Sequence, residues 1–161
     1  MIMNFELKPR ISPSEKDFFL KLGPNWKEIK SKIQAETFER DENQCRGCQY
    51  RTKLYLHLAE ENEQELEKST FVSLCKACHT TQHIDNAVKE GWVSVVNSSF
   101  TQKSLIEICR VNDVSQHLKN GNIRILKMTP EEYEVQLKEN TLPLHSRVKI
   151  IFTSKFEWGE F

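Results

Sequence analysis

Two short cysteine pairs constrain this chain more than anything else in it. Cys45-Arg46-Gly47-Cys48 and Cys75-Lys76-Ala77-Cys78 are both Cys-x-x-Cys, with 26 residues between Cys48 and Cys75. Such a turn sets two sulfurs on one knuckle, and two knuckles supply four thiolates at ~2.3 Å from one tetrahedral ion. The separation exceeds that of an ordinary zinc ribbon and leaves room for a hairpin and a loop. The pattern reads as a closed structural zinc site of Cys45, Cys48, Cys75 and Cys78, with two vicinal redox dithiols as the alternative. Protein fills every position around such an ion, so it serves the fold rather than catalysis. Cys109 stands alone and reads as a buried thiol acting as a small hydrophobe.

Composition sets the outer limits. The 161 residues suit one domain, or a small domain with an appendage. Lys and Arg total 23 and so do Asp and Glu, which excludes a generally basic nucleic-acid binder but not a local basic face. Hydrophobic residues at 38% and charged residues at 29% describe a polar, foldable chain. The longest uncharged stretch, residues 91–102, is far short of the ~18 apolar residues of a membrane span, so no membrane association is expected. The N-terminus shows no apolar run before a cleavage-type site. The expected setting is therefore a reducing, cytoplasmic one, where cysteines more often bind metal than form disulfides.

Local patterns outline the elements of an α+β chain. Residues 1–11 read as an irregular or strand-like lead-in. Ser12-Pro13-Ser14-Glu15 reads as a helix start, with Ser12 as cap, and Gly23 as the stop. Asn25 and Glu28 repeat the capping pattern, and Trp26, Ile29 and Ile33 give a second helix to about Phe38. Residues 54–58 and 71–74 read as strands, and 76–90 as one helix stopped by Gly91. Residues 92–96, 104–111, 122–128 and 146–153 read as further strands. Residues 113–119 read as a helix ended by Asn120-Gly121, and Thr129-Pro130-Glu131-Glu132 as a capping box opening another helix to about Asn140. No repeat or low-complexity linker interrupts the chain. The resulting division is a lead-in and helix at 1–24, a zinc-binding domain at 25–92, and a small α/β extension at 93–161.

His79 follows Cys78 directly, and His83 lies four residues on, so on one helix the two imidazoles share a face and make a workable pair of metal ligands. His57 sits on the strand between the knuckles. His117 and His145 have no partners at useful spacing.

Taken together, Phe38-Glu39-Arg40-Asp41, then Cys45 and Cys48, Leu54-Tyr55-Leu56-His57, Thr70 to His79 and finally His83 resemble the HNH endonuclease family. The resemblance spans about residues 25–90. It implies a zinc-stabilised ββα-metal core preceded by helices, and metal-assisted hydrolysis of nucleic-acid phosphodiesters. One divalent ion, Mg²⁺ or another, would bind the scissile phosphate and a histidine would activate water. His57, His79 and His83 are the residues the resemblance places at that second ion or in catalysis.

The chain departs from the family's pattern at two places. The adjacent His-His or Asp-His pair is a single histidine here. Either His57 is a metal ligand and Leu58 stands in the base position, or His57 is the base and Leu56 replaces a ligand. Thr70 stands where the family has its orienting asparagine. Glu60, Glu61 and Glu63 are candidates for a missing ligand.

Residues 1–58 carry a net charge of +3, and residues 59–70 a net of −4. Lys27, Lys30, Lys32, Arg40, Arg46, Arg51 and Lys53 are candidates for a basic face. Two functions remain open. One is a metal-dependent nuclease with nucleic acid, DNA above all, as its substrate. The other is an HNH-derived zinc module that binds nucleic acid or a protein without cleaving, with the C-terminal extension as its docking part.

Overall fold

The computed structural model describes residues 5, 7, 9–10, 14–60, 70–127, 129, 131–132 and 148–158. They form a mixed α+β structure of two compact units. The first comprises residues 1–6, 13–79 and 159–161, and the second residues 7–12 and 80–158.

The first unit is built on two helices and a hairpin. Helix α1 (Glu15–Leu20) is capped by Ser14, whose hydroxyl accepts from the Lys16 N–H at 3.2 Å. The cap is thus two residues later than Ser12. Helix α2 (Trp26–Arg40) follows Asn25, whose side chain makes no capping bond. Strands β1 (Leu54–Glu60) and β2 (Thr70–Cys75) pair antiparallel, with an irregularity between Leu58 and Glu60. Strand alternation sorts the side chains of β1. Leu56 and Leu58 pack toward Phe18, Phe19 and Phe71, joined by Trp26, Ile33 and Phe38 of α2. The intervening His57 makes its ring contacts with Phe5 and with His79, which also stacks on Tyr55. Helix α3 (Lys76–Gln82) starts directly off β2.

In the second unit a three-stranded antiparallel sheet has the order β4 (Ile123–Ile125), β3 (Val93–Ser98), β5 (Val148–Phe152). Helix α4 (Ile84–Glu90) ends on Gly91 at φ 75, and α6 (Val114–Asn120) on Gly121 at φ 77, both conformations that glycine adopts without strain.

Two expectations fail in this unit. The stretch read as one helix over 76–90 breaks at His83 (φ −137, ψ 61). Arg10 fills the break, its N–H donating to Thr81 O at 2.8 Å and its carbonyl accepting from the Ile84 N–H at 3.1 Å. The stretch read as a strand over 104–111 is helix α5 (Gln102–Arg110). The hydroxyl of Thr101 accepts from the Ser104 N–H at 3.0 Å, and Gln102, Leu105, Ile106 and Cys109 form a buried stripe at helical spacing. At the Thr129 box, the Glu132 N–H donates to the Thr129 hydroxyl at 3.1 Å; the helix expected from there to Asn140 lies mostly outside the described residues. No helix among the described residues is long and apolar enough to cross a membrane.

Candidate metal centres

The first knuckle hangs from the end of α2. Left-handed residues Glu42 and Asn43, both at φ 56, turn the chain out of the helix. The turn then closes through the Gln49 N–H to Cys45 O (2.8 Å) and the Cys45 N–H to Tyr50 O (3.0 Å). The Arg46 N–H donates to Ser73 O at 2.9 Å, tying this knuckle to β2. The second knuckle is the β2–α3 junction, with Cys75 ending the strand and Cys78 in the first helical turn. The same local bond recurs in both knuckles. The Cys48 N–H donates to Cys45 Sγ and the Cys78 N–H to Cys75 Sγ, each at 3.5 Å.

The four sulfurs lie within 4.8 Å of one another, and none of these cysteines is more than 7% exposed. Cys48 Sγ and Cys75 Sγ are 3.7 Å apart. A tetrahedron with bonds of ~2.3 Å has edges of about 3.8 Å, so the spacing across the knuckles fits a zinc ion. The proton affinities point the same way. Hydrogen bonds from Cys45, then Cys75 and Cys78, hold the Cys48 thiol far below the ordinary thiol range. Bonds to Cys45 and Cys48, together with burial, push Cys75 far above it. Four sulfurs competing for protons in one buried space are relieved by a shared cation. Cys109 lies elsewhere, in the second unit, where its sulfur accepts from the Phe152 N–H at 3.4 Å and burial raises its pKa.

A second group gathers one residue beyond the knuckle. Glu15, His57 and His79 each offer a ligand atom, and these lie within 4.8 Å of one another. Glu15 Oε1 is 2.6 Å from His57 Nδ1, 3.2 Å from His79 Nε2 and 3.3 Å from the Leu58 N–H that donates to it. The His57 side chain is 3% exposed, Glu15 12% and His79 24%, so the group is approached from the His79 side. His83 follows His79 along the chain at the break between α3 and α4. Thr70 heads β2, paired with Glu60. Glu61, Glu63 and His145 lie outside the described residues.

Sequence reasoning missed Glu15, which reads as the acidic residue of a helix start. No local signal marks it, because its partner His57 is 42 positions away. Three members of the expected basic face already hold partners, Arg51 through Glu42 O at 2.8 Å. Arg40 bonds Asp41 at 3.0 Å and Phe71 O at 2.6 Å, and Arg46 is 3.7 Å from Asp41. Lys27, Lys32, Arg51 and Lys53 are exposed. Comparison with protein-family models gives no match, and comparison with curated proteins finds none significantly similar to this chain.

Proposed function

We propose that the chain is an HNH-like, metal-dependent endonuclease that hydrolyses phosphodiester bonds of nucleic acid, with DNA as the favoured substrate. The observation that carries this reading is the meeting of Glu15, His57 and His79 at one point, apart from the cysteine set and one residue beyond it. Such a group suits a second divalent ion, which would supply charge stabilisation at a scissile phosphate and its leaving oxygen. His57 and His79 would hold that ion. Two imidazoles favour Mn²⁺, Co²⁺, Ni²⁺ or Zn²⁺ over Mg²⁺. Thr70, at the head of β2, takes the place of the family's asparagine. Exposed Arg51 and Lys53, on the segment between the first knuckle and β1, suit contacts to backbone phosphates.

One observation favours the non-cleaving alternative. Leu58 packs against the apolar cluster of Phe18 and Phe71, on the opposite face of β1 from His57. The position beside His57 therefore supplies neither an imidazole nor access to the site.

The test is cleavage of single- and double-stranded DNA and of RNA by the full-length protein in Mn²⁺, Co²⁺, Ni²⁺ and Mg²⁺. Cutting of DNA, strongest in the first three ions and abolished in His57→Ala and His79→Ala, is the expected result. Failure to cut any substrate in any ion sinks the nuclease. Retention on nucleic acid that weakens steeply with salt would then establish the binding module.

A further inference from the structure

We infer that Glu15, delivered by α1, is itself a ligand of the second ion, and that the ion fastens α1 to β1 and α3. The inference rests on the reading of His57 and His79 as holders of a divalent ion, and adds a residue from outside the motif that suggested it.

Three observations carry it. Glu15, Phe18 and Phe19 stand at i, i+3 and i+4, so one face of a short helix carries the carboxylate and two aromatic rings. The rings fix that face: Phe19 stacks on Phe71 with centroids 5.6 Å apart, and Phe18 meets the same ring edge-on at 5.8 Å. With α1 held in this way, one oxygen, Glu15 Oε1, meets a ring nitrogen from β1 and another from α3. The first turn of a helix favours an acidic residue; what it does not require is a carboxylate aimed between two imidazoles, the placement a cation there would use.

The spacing is close to what an ion needs. Tetrahedral bonds of ~2.0–2.1 Å have edges of about 3.4 Å. The Glu15–His79 distance of 3.2 Å already matches, and the Glu15–His57 distance of 2.6 Å has to widen. The Leu58 N–H, donating to the same oxygen at 3.3 Å, orients the carboxylate from the backbone in the manner of an outer-shell partner. One carboxylate and two imidazoles select a borderline transition ion such as Co²⁺, Ni²⁺ or Zn²⁺ against Ca²⁺, with Mn²⁺ the weakest binder of that series and the one read directly by its spin.

The experiment uses full-length, zinc-loaded protein and Mn²⁺ as the first probe. Binding is followed by electron paramagnetic resonance, and amide exchange of α1 is measured with and without the ion. Wild type is expected to take up one Mn²⁺ and to slow exchange at Phe18, Phe19 and Leu20. Glu15→Gln is expected to bind Mn²⁺ at least ~10-fold more weakly, while His57 and His79 remain. Mn²⁺ bound by wild type without slower α1 exchange overturns the inference, and that measurement needs no variant. Equal affinity in Glu15→Gln with its zinc content unchanged overturns it too, leaving the two-histidine site standing. No uptake of Mn²⁺ and, in a second titration, none of Co²⁺ by wild type overturns the second ion altogether, and the inference with it.

Discussion

The carboxylate of Asp41 draws its partners from three places. It takes the Arg40 guanidinium at the end of α2, Arg46 inside the first knuckle and the Ser73 N–H of β2 at 2.9 Å. At 1% exposure it ties the helix end, the first cysteine knuckle and the hairpin together. Removing it takes the carboxylate away from the guanidiniums of Arg40 and Arg46 and strips the buried Ser73 N–H of this acceptor. Asp41→Ala should therefore cost about 3 kcal/mol of stability, read as a lowered urea midpoint with an unchanged slope. Leu58→His tests the strand alternation: it places an imidazole beside Phe18 and Phe71 and should cost about 2 kcal/mol without raising the cleavage rate. An Leu58→His protein as stable as wild type would show that this side chain does not face the apolar cluster. At this scale the cysteines were legible because two fixed spacings carry their chemistry locally. Glu15 was not, because only the packing of α1 on Phe71 brings it to His57 and His79.

Elements divide along the same line. The hairpin of β1 and β2, and the glycine stops of α4 and α6, follow from local pattern and lie where that pattern puts them. The break at His83 was hidden because Arg10, some seventy residues upstream, inserts its backbone there. Helix α5 was hidden because Ile106, Ile108 and Val111 look strand-like, and the Thr101 cap with its stripe of buried residues outweighs that local preference. Gln102, the first residue of α5, is 2% exposed. Its side-chain amide donates to Ile150 O at 2.8 Å and accepts from the Ile150 N–H at 3.0 Å. The amide thus mimics a strand neighbour on β5, a way of closing a sheet edge. Gln102→Leu should lower stability by about 2–3 kcal/mol and expose the Ile150 amide to exchange. Unchanged protection at Ile150 would contradict the pairing.

At the scale of the molecule, the two units have cores of different kinds. The first combines the aromatic cluster around Phe71 with the cysteine site; the second buries Val96, Leu105, Ile106, Ile123 and Ile150 together with Phe152 and Phe156, and the four-cysteine group lies wholly in the first. Metal should therefore support the first unit selectively. In Cys48→Ser, amides of Leu56, Phe71 and Val72 should lose protection while those of Val96, Ile106 and Ile151 keep theirs, and Cys109→Ser should leave zinc content at one per chain. Uniform loss of protection along the chain in Cys48→Ser would mean that the second unit does not stand on its own core.

The separation of the two proposed centres depends on four thiolates around one zinc ion, with His57 and His79 outside that shell. X-ray absorption at the zinc edge of protein purified without added metal reads this directly. The result expected is a single shell of four sulfurs at ~2.3 Å, unchanged in His57→Ala and His79→Ala. A nitrogen shell at ~2.0 Å that disappears in either variant would place an imidazole on the structural zinc and contradict the separation of the two centres.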